Sequence, residues 1–180
     1  MTEQKVSFYS SKPEPIHFER QCAECSECCK WLYYIINGHI KHPGKPCFYL
    51  GDNCTVHEIR PQSCRDYHCA YIQGLLPEWM KPSKAKVLVN VEKWGPNKEY
   101  PMLRAIECGK KLDVEVLSWL IQYSRNTGVG LIYQLSGIWN YFGPDNFMEF
   151  FKNEILKVEF ENPFLKVEKQ KLETPITGKY

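Results

Sequence analysis

The chain has 180 residues, 43% of them hydrophobic, which is enough for one substantial core and too few for two independent ones. Its 23 basic and 21 acidic residues leave a formal charge of +2, so composition indicates no nucleic-acid partner and no membrane partner. No apolar run is long enough to cross a bilayer and Met1 to Arg20 lacks the apolar centre of a signal peptide, so a soluble, cytoplasmic protein is expected.

In chain order, residues 1–20 read as a flexible lead-in, because Pro13 and Pro15 interrupt any helix and apolar residues are sparse. Residues 21–75 form a cysteine-rich lobe, its turns marked by Gly38, Pro43-Gly44, Gly51-Asp52-Asn53 and Arg60-Pro61. Within it, the aromatic and branched run from Lys30 to Ile40 fits a short strand or a helical turn, and periodicity does not choose between them.

Residues 84–165 read as the α+β portion of the same domain. Val87, Val89 and Val91 alternate with Leu88, Asn90 and Glu92, the period of a strand with one buried face, and a second strand follows over Met102 to Ile106. Asp113 is placed to cap a helix carrying Val116, Leu117, Leu120 and Ile121 at helical spacing, with Gly128 as its stop. Around Ser136-Gly137 the pattern predicts a hairpin or two short strands. Asp145 is placed to cap another helix, with Phe147, Met148, Phe151, Ile155 and Leu156 on its buried side. From Lys157 the alternation of charged residues with Val158, Phe160, Phe164 and Val167 predicts an edge strand or a surface arm, and residues 166–180 a polar tail.

Eight of the nine cysteines lie between Cys22 and Cys69, spaced C-x2-C-x2-C-C-x17-C-x6-C-x9-C-x4-C. In a reducing cytosol such density points to metal, since thiolates are soft, strongly donating ligands and zinc or an iron-sulfur cluster each takes four. The two-residue gaps in Cys22-Ala23-Glu24-Cys25-Ser26-Glu27-Cys28-Cys29 let successive sulfurs curl around one ion, and Cys47, Cys54, Cys64 and Cys69 supply four more from separated turns. A strained vicinal disulfide is the rival reading for Cys28-Cys29. Arg60 and Arg65 are the candidate cations to offset the charge of the thiolates. His57 and His68, set between the cysteines, are candidates to contact the centre. Cys108 reads as a small buried hydrophobe, Asp52, Glu58 and Asp66 as loop residues, and Trp31, Tyr33 and Tyr34 as packing between lobe and sheet.

These segments resemble the YkgJ-like family of zinc- or iron-chelating cysteine-cluster proteins, with its CxxCxxCC block and a later R-P-x-x-C-R-x-F-x-C run. The likeness covers Cys22 to Cys69 and is weak beyond it. Cys22, Cys25, Cys28 and Cys29 fill the first block; Cys47, Cys54, Arg60, Pro61, Cys64, Arg65 and Cys69 fill the second, with Tyr67 at the aromatic position. Ser26 stands at a common glycine and His57 at the usual tyrosine, and neither change removes a thiolate. The resemblance implies a metal centre of zinc or iron-sulfur type. Flagellin lysine N-methylase looks related, with a similar cluster beside methyl transfer, but Thr127-Gly128-Val129-Gly130 is too short for a nucleotide-type glycine loop and also reads as a helix stop.

The expected architecture is therefore α+β, an N-terminal metal-organised lobe packed on a small sheet with two or more helices. Three functions follow: an iron-sulfur enzyme modifying a protein or small molecule, which requires a pocket beside the cluster; a zinc-stabilised interaction module; or a metal storage and delivery protein.

Overall fold

The computed structural model describes Arg20 and residues 25–161, with side chains to residue 153. Cys22, His17, the remainder of the lead-in, Phe164, Val167 and the polar tail lie outside the described residues, as do the side chains of Ile155 and Leu156. The fold is α+β, with two sheets and five helices among the described residues.

The larger sheet has the order β3-β4-β5-β6, comprising Val87–Trp94, Tyr100–Glu107, Gly130–Leu135 and Ile138–Phe142. Strands β3 and β4 form an antiparallel pair, β4 and β5 run parallel, and β5 and β6 close as a hairpin. Helix α4 (Val114–Thr127) makes the crossover that a parallel pair requires. Its ends follow the expected chemistry: the Asp113 side chain accepts the Glu115 N–H at 2.8 Å, and Gly128 takes the left-handed conformation at φ 69°. The β5–β6 turn has positive φ at both Ser136 and Gly137, the mirror-image turn whose twist suits a two-residue hairpin.

The alternation expected of one buried face gives way, in β3, to burial on both. Val87, Leu88, Val89 and Asn90 are all buried. Val87 and Val89 share a cluster with Leu103, Ala105 and Leu131 of the sheet and Val116 and Leu120 of α4. Leu88 and Asn90 point the other way, where Tyr67 donates to Asn90 Oδ1 at 2.5 Å. Helix α5 (Asp145–Glu161) covers the far end of that second face, with Phe147 packed against Trp94 and Met102. Residues 157–161 continue this helix, so an edge strand or arm does not begin at Lys157. A helix stop signal is absent there, and alternating charges are compatible with an exposed helical face.

The cysteine-rich segment contains short elements only: α1 (Glu27–Trp31), the antiparallel pair β1 (Tyr34–Ile36) and β2 (His39–Lys41), α2 (Gln62–Arg65) and α3 (Pro82–Ala85). The run Lys30 to Ile40 thus holds both a helical turn and a hairpin, turned at Asn37-Gly38 with φ of 48° and 81°. Leu32, Cys69, Ala70, Ile72 and Leu76 join the same buried cluster as β3, and Ala70 N–H donates to the Val89 carbonyl at 2.8 Å. One core therefore spans both halves. No helix among the described residues is long and apolar enough to cross a membrane.

Candidate functional site

Local turn chemistry gathers the cysteines. Cys28 and Cys29 are neighbours in α1, so their side chains leave the helix about 100° apart. The Cys47 N–H donates to the Cys29 carbonyl at 2.8 Å, fixing the second block against the first. Leu50 then bridges Cys54 across the Gly51-Asp52-Asn53 turn, and Thr55 seals it by donating N–H and Oγ1 to the Tyr49 carbonyl. A 3-10 turn at His57–Ile59 and the Arg60-Pro61 corner lead into α2, where the Cys64 N–H donates to the Pro61 carbonyl. Cys69 follows, buried against the sheet core.

The result is a chamber of about 700 Å³. Cys25, Cys28 and Cys29 line it from the first block, Cys47 and Cys54 from the second, and Cys64 and Cys69 from the third. None of the eight described cysteines is joined to another in a disulfide, so Cys28 and Cys29 form no vicinal disulfide. Burial pushes the Cys64 thiol up, and the charges of Cys29, Cys47 and Cys54 add to it. As placed, no three His, Cys, Asp or Glu side chains among the described residues are grouped to hold one metal ion. Closing four thiolates on zinc at about 2.3 Å each would draw these side chains inward from the chamber wall.

Of the other expected contacts, His57, Arg60 and His68 line the chamber. Arg60 Nη1 meets His57 Nε2 at 2.5 Å, and the His68 ring nitrogen Nδ1 sits 3.0 Å from the Asp66 carbonyl. Arg65 does not line it: exposed on α2, its guanidinium donates to Gln62 Oε1 at 2.9 Å. Cys108 lies in the core, its thiol pushed up to about 12 by burial and, secondarily, by Glu27 and Cys25. Trp31 packs over Gly109, where a Cβ would stand 2.8 Å from its ring, and both Trp31 and Tyr34 pack against the buried cluster shared with the sheet, whereas Tyr33 is exposed and meets His42 edge-on.

Two chamber residues were not evident from the sequence. Lys41 is 4% exposed, and its ammonium donates to the carbonyls of Leu32 at 2.5 Å, Lys30 at 3.1 Å and His42 at 3.4 Å. Among the described residues no carboxylate pairs with it. Burial lowers its pKa, while the charges of Cys29, Cys47 and Cys28 oppose that shift. A buried cation needs an anion nearby, and thiolates are the anions this chamber offers. Tyr34, paired with Lys41 across the hairpin, has a buried hydroxyl with no hydrogen-bond partner among the described residues. Burial raises its pKa, with Cys28, Cys64, Cys29 and Cys69 adding to the rise, so it stays a protonated donor. The Asn37-Gly38 turn was the available signal, because it sets a register that puts Tyr34, Ile36 and Lys41 on one side.

Tyr34, Tyr67 and His68 also form a wall shared with a second cavity on the sheet face, of about 1090 Å³. Comparison of the chain with protein-family models, with curated proteins and with solved structures finds no match.

Proposed function

We propose that this is a metal-binding protein in which the cysteine lobe is organised around zinc or an iron-sulfur cluster, as the resemblance to YkgJ-like proteins implies. The observation that carries the reading is the convergence of seven thiols on one chamber from three separate blocks of sequence. The donor set fits: soft sulfurs, a buried lysine without a carboxylate partner to offset their charge, and a buried tyrosine hydroxyl that lacks an acceptor. Cys25, Cys28, Cys29, Cys47, Cys54, Cys64 and Cys69, together with Cys22, would hold the centre or centres. Zinc would supply structural closure, whereas an iron-sulfur cluster would supply electron transfer or an open iron. Cysteines outside any disulfide and this ligand chemistry suit a reducing, cytoplasmic setting.

The larger cavity against the shared wall favours a centre that acts on a protein or small-molecule substrate over a closed zinc module or a storage protein. Arg60 and His57, bonded to each other on the chamber lining, are placed to steady that centre; Arg65 is not. Oxygen-free purification followed by elemental analysis, sulfide assay and a visible spectrum tests the proposal. Iron with acid-labile sulfide supports the enzyme reading, and colourless stoichiometric zinc supports the structural one. A sample with neither metal nor sulfide overturns both. Cys54→Ala and Cys64→Ala should each lower metal content sharply, with Cys108→Ala at the parental level.

A further inference from the structure

The cavity beside the thiol chamber has a polarity of its own. The sheet register puts Asn90 opposite Arg104 and Gln134 opposite Trp139, so these side chains share the face that α5 covers only at its far end. Four of the oxygen-bearing groups there are already engaged, beside Asp66 and Gln73, which also line the cavity. Asn90 Oδ1 takes the Tyr67 hydroxyl at 2.5 Å, Gln134 Oε1 takes the Glu107 N–H at 3.2 Å, and Glu92 holds Arg104 at 2.6 Å. The Glu107 carboxylate takes the amide N–H groups of Leu112, Ser136 and Gly137, each at 2.8 Å.

Four donors on the same lining are not engaged. Asn90 Nδ2 and Gln134 Nε2 have no acceptor among the described residues, and Arg104 Nε and the Tyr34 hydroxyl are buried without one. Lys110 and Lys111 stand exposed at the rim. Trp31 and Trp139 add flat apolar surface to the lining. These four donors and the two rim lysines have hydrogens to give, which selects a ligand rich in acceptor oxygens.

We propose that this groove binds a small organic anion, a planar molecule ending in a carboxylate or phosphate, with its oxygens toward Asn90, Gln134 and the two lysines. The groove shares the Tyr34, Tyr67 and His68 wall with the thiol chamber, and binding to it is measured directly, so its failure is distinguishable from failure of the metal reading. Calorimetric titration of the full chain with naphthalene-2-carboxylate, 2-naphthyl phosphate, the neutral 2-naphthamide and inorganic phosphate tests it. At least one of the two naphthyl anions should bind at least tenfold more tightly than the amide, and the tighter of the two identifies the oxygen group. Inorganic phosphate should bind more weakly than 2-naphthyl phosphate. The double change Lys110→Ala with Lys111→Ala, on exposed positions, and Gln134→Leu should each weaken the tighter naphthyl anion at least fivefold with an unaltered circular dichroism spectrum. Equal binding of acid and amide, no binding of either naphthyl anion, or an affinity untouched by these variants would overturn the proposal.

Discussion

The sheet and the cysteine lobe are held by different physics. In β3, four consecutive residues, Val87 to Asn90, are buried, and Leu103, Leu120 and Leu131 are sealed completely. Between His42 and Asp66 the only buried residue is Cys47, while Phe48 and Ile59 are 54% and 79% exposed. The first region removes enough apolar surface from water to fold by burial. The second does not, so turns, backbone hydrogen bonds and the inward-facing thiols must hold it, which is the arrangement expected where a metal replaces a hydrophobic core.

The strongest way to break this contrast is to strip the proposed metal. Removal by chelator should release the 42–66 segment, read as loss of hydrogen-exchange protection and gain of protease cleavage there, with β3, β4 and α4 amides still protected. The effect should be several kcal/mol, since binding energy at such sites is largely folding energy. Uniform loss across the chain, or none, would end the distinction. Leu120→Ala is the converse: it should cost about 3 kcal/mol of global stability by opening a core cavity, measured by denaturant unfolding, with metal content unchanged.

Lys41→Met sharpens the comparison within the lobe. If the buried ammonium offsets thiolate charge, its loss should weaken metal affinity about tenfold, or ~1.4 kcal/mol, in a competition titration. The metal-free protein should be no less stable, because Met fills the space without a charge to bury. Tyr34→Phe should be smaller and should change sign. Deleting an unpartnered buried hydroxyl should stabilise the metal-free form by about 1 kcal/mol, whereas the filled form should lose stability if a sulfur accepts that hydrogen bond. Thermal unfolding of the two forms reads both signs.

The same contrast decides how much was legible in the sequence. Where burial shapes the chain, pattern goes far: the strand at Val87–Trp94, the Asp113 cap, the Gly128 stop and the Ser136-Gly137 turn can be read from residues alone, though not the second buried face of β3. The lobe offers no such periodicity. Apolar residues run unbroken from Trp31 to Ile36, which hides the β1–β2 hairpin unless Asn37-Gly38 is weighed first. Arg65 and Lys41 look alike as charges in a string, yet the hairpin register turns Lys41 to the chamber while α2 leaves Arg65 exposed to solvent. The spacing of the cysteines made their convergence legible, and long-range contacts from Cys29 to Cys47 brought it about.

The smallest effect belongs to the sheet side and comes from acid. Burial alone would raise the Glu107 pKa, but the amides of Leu112, Gly137 and Ser136, with Lys111 behind them, outweigh it and hold the carboxyl below its usual range. A group depressed in the folded state adds stability that is complete above its unfolded value, about 4.3, and disappears as pH falls through the folded one. Glu107→Gln should therefore cost about 1 kcal/mol at neutral pH and flatten the acid limb of the stability curve below about pH 4.3. The carboxylate ties the approach to α4 to the β5–β6 turn. Denaturant midpoints measured from pH 7 to 3 should separate parent and variant only by this amount, with metal content at neutral pH alike in both. A parallel acid limb in the variant would show that the amide-bound carboxylate is not what couples this edge of the sheet to protons.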